Sequence, residues 1–176
     1  MTFHVRPARP EDAHGIAEVH VTTWRATYPG VMPQKLLDDL RVEERARTWA
    51  EWIADPRTAT FVAEQDGAIV GFVNAGGSFT VEGVGEVYSI YVTPDAQGTG
   101  AGRALMDAAV EVLRKRWDDA ILWVATENPR ARRFYERYGW FADGERIDES
   151  WPGASVPETR YRLTRLRASA TRKVRK

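Results

Sequence analysis

The stretch Ile90-Tyr91-Val92-Thr93-Pro94-Asp95-Ala96-Gln97-Gly98-Thr99-Gly100-Ala101-Gly102-Arg103 decides the reading of this chain. Before it runs the β-rich segment EVYSIYV, from Glu86 to Val92, which Pro94-Asp95 breaks. After it comes an amphipathic run with Leu105, Met106, Ala109, Val110, Val112 and Leu113 on one face. The order is therefore strand, glycine-rich turn, helix. Backbone N–H groups in such a turn converge on an anion, and the dipole of the following helix adds to the attraction. Glycine suits the turn because a Cβ would block close approach by phosphate oxygens. A phosphorylated ligand is predicted here, but two common kinds are excluded. The Gly-x4-Gly-Lys-Ser/Thr pattern of a P-loop is missing. Both frames of a dinucleotide fingerprint fail, because Gly98-x-Gly100 leads to Arg103 and Gly100-x-Gly102 leads to Leu105.

Working outward, Thr60–Glu64 and Ala68–Ala75 are β-rich and flank Gln65-Asp66-Gly67, a hairpin signal. Further upstream, residues 3–6 (FHVR) form a short first strand. Pro10-Glu11-Asp12 then opens a helix carrying Ile16, Val19, His20 and Thr23 at helical spacing. Tyr28-Pro29-Gly30 closes it. A second helical region follows, with Leu36, Leu37 and Leu40, then Ala46, Trp49, Trp52 and Ile53. Downstream, Ala120–Ala125 (AILWVA) reads as a buried strand and Arg130–Tyr138 as a short helix. Two strands near 140–148 and 157–165 finish the pattern. This order predicts an α+β fold, a mixed and mostly antiparallel central sheet flanked by helices.

A second motif, Asn128-Pro-Arg-Ala131-Arg-Arg-Phe134-Tyr135-Glu-Arg-Tyr138-Gly139-Trp140, follows the AILWVA strand. It resembles the N-x2-A-x2-F-Y-x3-G-F/W pattern of the GCN5-related N-acetyltransferase (GNAT) family. Gln97-Gly-Thr-Gly100-Ala-Gly102 likewise resembles that family's Q/R-x-x-G-x-G/A pyrophosphate loop for acetyl-CoA. The two motifs stand in the family's order and spacing, and the resemblance covers roughly residues 60–145. Trp24-Arg-x-x-Tyr28-Pro-Gly looks like small-molecule members, with less specificity.

The resemblance implies direct acetyl transfer from acetyl-CoA to an amine within a ternary complex, with no covalent enzyme intermediate and no metal. Tyr135 matches the tyrosine that protonates the leaving thiolate; a phenol of pKa about 10 suits a thiol near 8.5. Glu86 matches a position where some members place a general base, an ordinary strand-end carboxylate being the alternative. Ile90 is expected to offer its N–H to the acetyl carbonyl and Val92 to the pantetheine arm. Gln97, Gly98, Thr99, Gly100, Ala101, Gly102 and Arg103 are expected to cradle the pyrophosphate, and Asn128 to contact the CoA arm. A homodimer is compatible with the resemblance.

Composition agrees with such an enzyme. At 176 residues, 43% hydrophobic and 28% charged, the chain fits one globular domain. It has no cysteine, which removes disulfides, thiolate metal sites and a cysteine nucleophile. His4, His14 and His20 lack the i,i+4 pairing of a helical metal site and read as surface or core residues. No run approaches the ~18 apolar residues of a membrane helix. The opening MTFHVRPARPED lacks a signal-peptide core, so a cytoplasmic location is expected.

Net charge is zero, yet Arg165–Lys176 carries +6 with no acid, leaving −6 on residues 1–164. Residues 1–165 read as one domain and 166–176 as a disordered basic tail, with a nucleic-acid arm as the weaker alternative. An acidic body suits a cationic small-molecule amine better than nucleic acid. A protein or peptide amine as acceptor, and a non-catalytic acyl-CoA sensor, remain as alternatives. Trp24, Tyr28, Trp49 and Trp52 read as packing of the N-terminal helices, or else as lining of the acceptor pocket.

Overall fold

The computed structural model describes residues 3–167 apart from Pro152. A seven-stranded sheet has the order β1-β2-β3-β4-β5-β7-β6. The strands are β1 (His4–Pro7), β2 (Thr58–Gln65), β3 (Ala68–Gly77), β4 (Gly85–Val92), β5 (Ala120–Ala125), β6 (Phe141–Trp151) and β7 (Ala154–Leu163). Every neighbouring pair is antiparallel except β4 and β5. The helices are α1 (Ala13–Thr27), α2 (Gln34–Asp38), α3 (Val42–Ala54), α4 (Ala101–Leu113) and α5 (Pro129–Tyr138). The second helical region anticipated from sequence is thus two helices, α2 and α3, with Asp39-Leu40-Arg41 between them.

Strand alternation sorts the apolar residues onto two faces. Val73 and Ala63 pack with Leu105, Met106 and Leu113 of α4. Their neighbours Phe72 and Val62 pack on the opposite face with Ile16 and Val19 of α1 and Trp49 of α3. The β2–β3 hairpin turns at Asp66 (φ 52°) and Gly67 (φ 80°), two left-handed residues as a two-residue turn demands.

Two irregularities open the middle of the sheet. Between β3 and β4 the register moves from Asn74↔Ser89 to Ala75↔Val87, so Tyr88 is an extra residue, a bulge that bends β4. The parallel pairing of β4 with β5 holds at Gly85↔Ala120 and Glu86↔Ile121 and then stops. From Val87 onward the two strands diverge. At the far end, Leu166 is buried, and its N–H donates to Asp118 O at 2.8 Å. The Arg167 guanidinium donates to Arg116 O. The rest of the basic run, residues 168–176, lies outside the described residues.

Candidate active site

The divergence of β4 and β5 opens a cavity of about 740 Å³. Thr93 N–H donates to Val70 O on β3 at 2.9 Å, so alternation also turns Tyr91 toward β3. Ile90 and Val92 accordingly direct their N–H groups to the opposite edge, where β5 has left. The sheet thus leaves two backbone donors on the cavity side.

The glycine loop closes one end. Gly98 (φ 82°) and Gly100 (φ 99°) are left-handed, and Gly100 is the N-cap of α4. A Cβ at Gly98 would meet nothing within 4 Å, and one at Gly100 only Phe3 at 3.8 Å. Glycine is needed here for backbone conformation, not to avoid a clash within the chain. The space beside the loop stays open. Ala104 N–H already bonds Gly100 O, while the N–H groups of Gly102 and Arg103 precede the helical ladder and are free for an anion. Gln97 Nε2 donates to Val92 O at 2.9 Å, clasping the loop to the end of β4. Arg103 stacks its guanidinium over Tyr138, 4.8 Å from the ring centre.

Of the residues singled out from sequence, Glu86, Ile90, Val92, Gln97, Gly98, Gly100, Gly102, Arg103, Asn128 and Tyr135 line this one cavity. Thr99 and Ala101 do not. Thr99 turns its hydroxyl to Ala96 O at 2.7 Å, and Ala101 is buried in the core under α4. Asn128 caps α5, its Oδ1 accepting from Ala131 N–H at 3.1 Å, with Pro129 at the first helical position. Gly139 (φ 117°) ends the same helix. The motif's asparagine and glycine are therefore the start and stop of the helix that presents Tyr135.

Tyr135 is buried, and its phenol is pushed well above the ordinary tyrosine value, first by burial, then by Tyr91 and Glu158. It stays protonated across the physiological range. Glu86 is 8% exposed; one oxygen accepts from Ser78 Oγ at 2.7 Å and its carboxylate also takes the Phe79 N–H. Burial raises its pKa, and those two bonds oppose the rise.

Sequence reading missed several wall residues. Glu158, on β7 opposite Ala125, lines the cavity with Glu149 of β6. Burial, then Glu149 and Glu86, push Glu158 up to about 7. His20 lines it too, 9% exposed, its Nδ1 accepting from Trp49 Nε1 at 3.1 Å. Burial lowers its pKa to about 3, so it is a neutral core histidine, and Tyr91 stacks on it. Trp24 and Tyr28 reach the cavity while Trp49 and Trp52 pack away from it, which divides the four aromatics between the two roles considered. No signal within the β6 and β7 segments could have marked Glu158. Its place depends on β7 inserting between β5 and β6.

Residues 19–140 match the family model described as "Acetyltransferase (GNAT) family". The chain is 36% identical over 170 residues to the uncharacterized N-acetyltransferase YuaI of Bacillus subtilis (strain 168), covering 88% of this chain and 96% of that one. Among solved structures it resembles the PaiA N-acetyltransferase of Thermoplasma acidophilum in complex with coenzyme A. There the TM-score is 0.71 at 18% identity, covering 93% of this chain and 99% of the other. It also resembles the spermidine/spermine N-acetyltransferase SpeG of Vibrio cholerae, with TM-score 0.69, 20% identity, and 98% and 99% covered. The chain belongs to the GNAT acetyltransferase family. It is an acetyl-CoA-dependent N-acyltransferase.

Proposed function

We propose that this enzyme acetylates a primary amine of a small cationic molecule by direct transfer from acetyl-CoA. The observation that carries the reading is one cavity holding unpaired strand donors, an open glycine loop at a helix N-terminus, a protonated tyrosine and three carboxylates. In this reading Gln97–Arg103 hold the pyrophosphate, the loop's conformation leaving room for it. Val92 N–H and the Asn128 amide take the pantetheine arm, and Ile90 N–H polarises the acyl carbonyl. Tyr135 gives its proton to the departing thiolate. Glu86 places its carboxyl group at the acceptor end and holds the Ser78 turn in place. The acceptor enters from the side of Glu149 and Glu158, past Trp24 and Tyr28, and carboxylates with aromatic walls favour an ammonium over an anion. No helix among the described residues is long and apolar enough to cross a membrane, which is compatible with the cytoplasmic location proposed.

The chain contains no cysteine, so a thiol reagent sees only released coenzyme A. Thiol release is to be followed with spermidine, tyramine and an alanine-initiated peptide as acceptors. Turnover with the small amines, strongly reduced in Tyr135→Phe, is the expected result. Turnover with the peptide alone would move the acceptor class to protein N-termini.

A further inference from the structure

Two carboxylates on different strands face the acceptor end, and their surroundings differ. Glu86 sits at the position the family resemblance marks for a base, but its carboxylate accepts from Ser78 Oγ and the Phe79 N–H. Ser78 Oγ in turn accepts from Thr80 and Val81 N–H, at 3.2 and 3.1 Å. Glu86 is thereby built into the β3–β4 turn. Glu158 has no such employment. Among the described residues no side chain or backbone N–H donates to its carboxylate, and its charged neighbours are Glu86 on β4 and Glu149 on β6. The phenols of Tyr28 just after α1, Tyr91 on β4 and Tyr135 on α5 all sense its charge. A half-buried carboxylate without a donor is costly unless something outside the chain supplies the proton or the positive charge. It lines the same cavity as Tyr135.

We infer that Glu158, not Glu86, is the group that takes the proton from the acceptor ammonium. The inference rests on the N-acetyltransfer reading above. Glu158 accepts one proton from the R–NH3+ group, leaving R–NH2. The nitrogen lone pair then forms the C–N bond to the acetyl carbon as the C–S bond breaks. Tyr135 protonates the sulfur and is itself reprotonated by the second proton lost from nitrogen. Glu158 releases its proton to solvent, so one ammonium and one thioester give one amide, one thiol and one proton. A group ionising near 7 is well matched to this exchange at neutral pH.

The test compares Glu158→Gln and Glu86→Gln in the full chain, with whichever of spermidine, tyramine or the alanine peptide the wild type turns over. Glu158→Gln is expected to lower kcat about 100-fold or more, with the KM for acetyl-CoA unchanged. The ascending limb of kcat near pH 7 should vanish, activity rising instead with the free-amine fraction. Glu86→Gln is expected to keep that limb. In parallel, 13C NMR of glutamate-labelled protein should show a carboxyl titrating near 7 that disappears in Glu158→Gln, a readout requiring no acceptor. An unchanged limb in Glu158→Gln, a limb lost only in Glu86→Gln, or a Glu158 midpoint at 4–5 would overturn the inference. A wild type that turns over none of the amines would instead refute the acceptor class, while the titration still decides whether Glu158 is poised.

Discussion

One edge of the sheet and its middle treat their carboxylates in opposite ways. At the β1–β2 edge, Asp12 takes a two-pronged bond from Arg6, at 2.7 and 2.9 Å, and the same guanidinium reaches Glu64 at 2.7 Å. Asp12 also accepts the Arg9 N–H and closes the turn that opens α1. Its carboxyl is held below the ordinary aspartate value, chiefly by the Arg6 bond. At the β4–β5 divergence, Glu158 has no cation among the described residues and is pushed up to about 7. Paired charges hold the fold together at the edge. At the divergence, unpaired charge and unpaired N–H groups are kept ready for molecules that come and go. Such sites cost stability in the free protein.

The largest effect that would sharpen this contrast is on rate. Tyr135→Phe should lower kcat by about 100-fold or more, measured by thiol release, while the melting temperature moves little. A large melting shift with preserved kcat would make Tyr135 a packing residue. Next, Gly100→Ala forces a side chain to φ 99° at the α4 N-cap, which costs about 1–2 kcal/mol. It should also weaken acetyl-CoA binding about tenfold by calorimetry, because the loop cannot hold its shape. Affinity equal to wild type would detach the loop from the ligand.

Edge variants should do the reverse. Asp12→Asn leaves Arg6 with Glu64 alone and is expected to cost about 1–3 kcal/mol by urea unfolding, with kcat unchanged. Because the folded pKa of Asp12 lies below its ordinary value, the unfolded chain binds the proton first as pH falls. The Asp12 contribution is therefore complete above about pH 4 and lost below it; the variant should lack that loss.

The smallest effect has the opposite sign. Glu158 has a raised folded pKa, so between about 4.5 and 7 the folded state keeps a proton that the unfolded chain has released. Stability falls as pH rises through that window and is level above it. Glu158→Gln should melt a few degrees higher than wild type at pH 8, with most of that gap gone at pH 5 and none left by about pH 4. Equal melting at both pH values would mean the carboxylate is solvated.

The same contrast explains what could be read from sequence. The glycine loop and the Asn128–Trp140 helix are contiguous, and their glycines, proline and cap announce themselves locally. Ile90 and Val92 were marked only through the family resemblance; the side to which their N–H groups point follows from the Thr93–Val70 bond in the folded sheet. Glu158 and Glu149 were not legible, since they reach the site only through the β5-β7-β6 order, a long-range pairing with no short signature. The break between α2 and α3 escaped because Leu36, Leu37 and Leu40 continue the apolar pattern across it, and the bulge at Tyr88 has no glycine to mark it.

The most direct test of the account is amide hydrogen exchange by NMR with and without acetyl-CoA. Unpaired N–H groups at Ile90 and Val92 and in Gln97–Arg103 should exchange fast in the free protein and slow markedly on binding, with the β1–β2 edge unchanged. Binding that leaves Ile90 and Val92 exchanging as before, or that protects the β1–β2 edge instead, would contradict it.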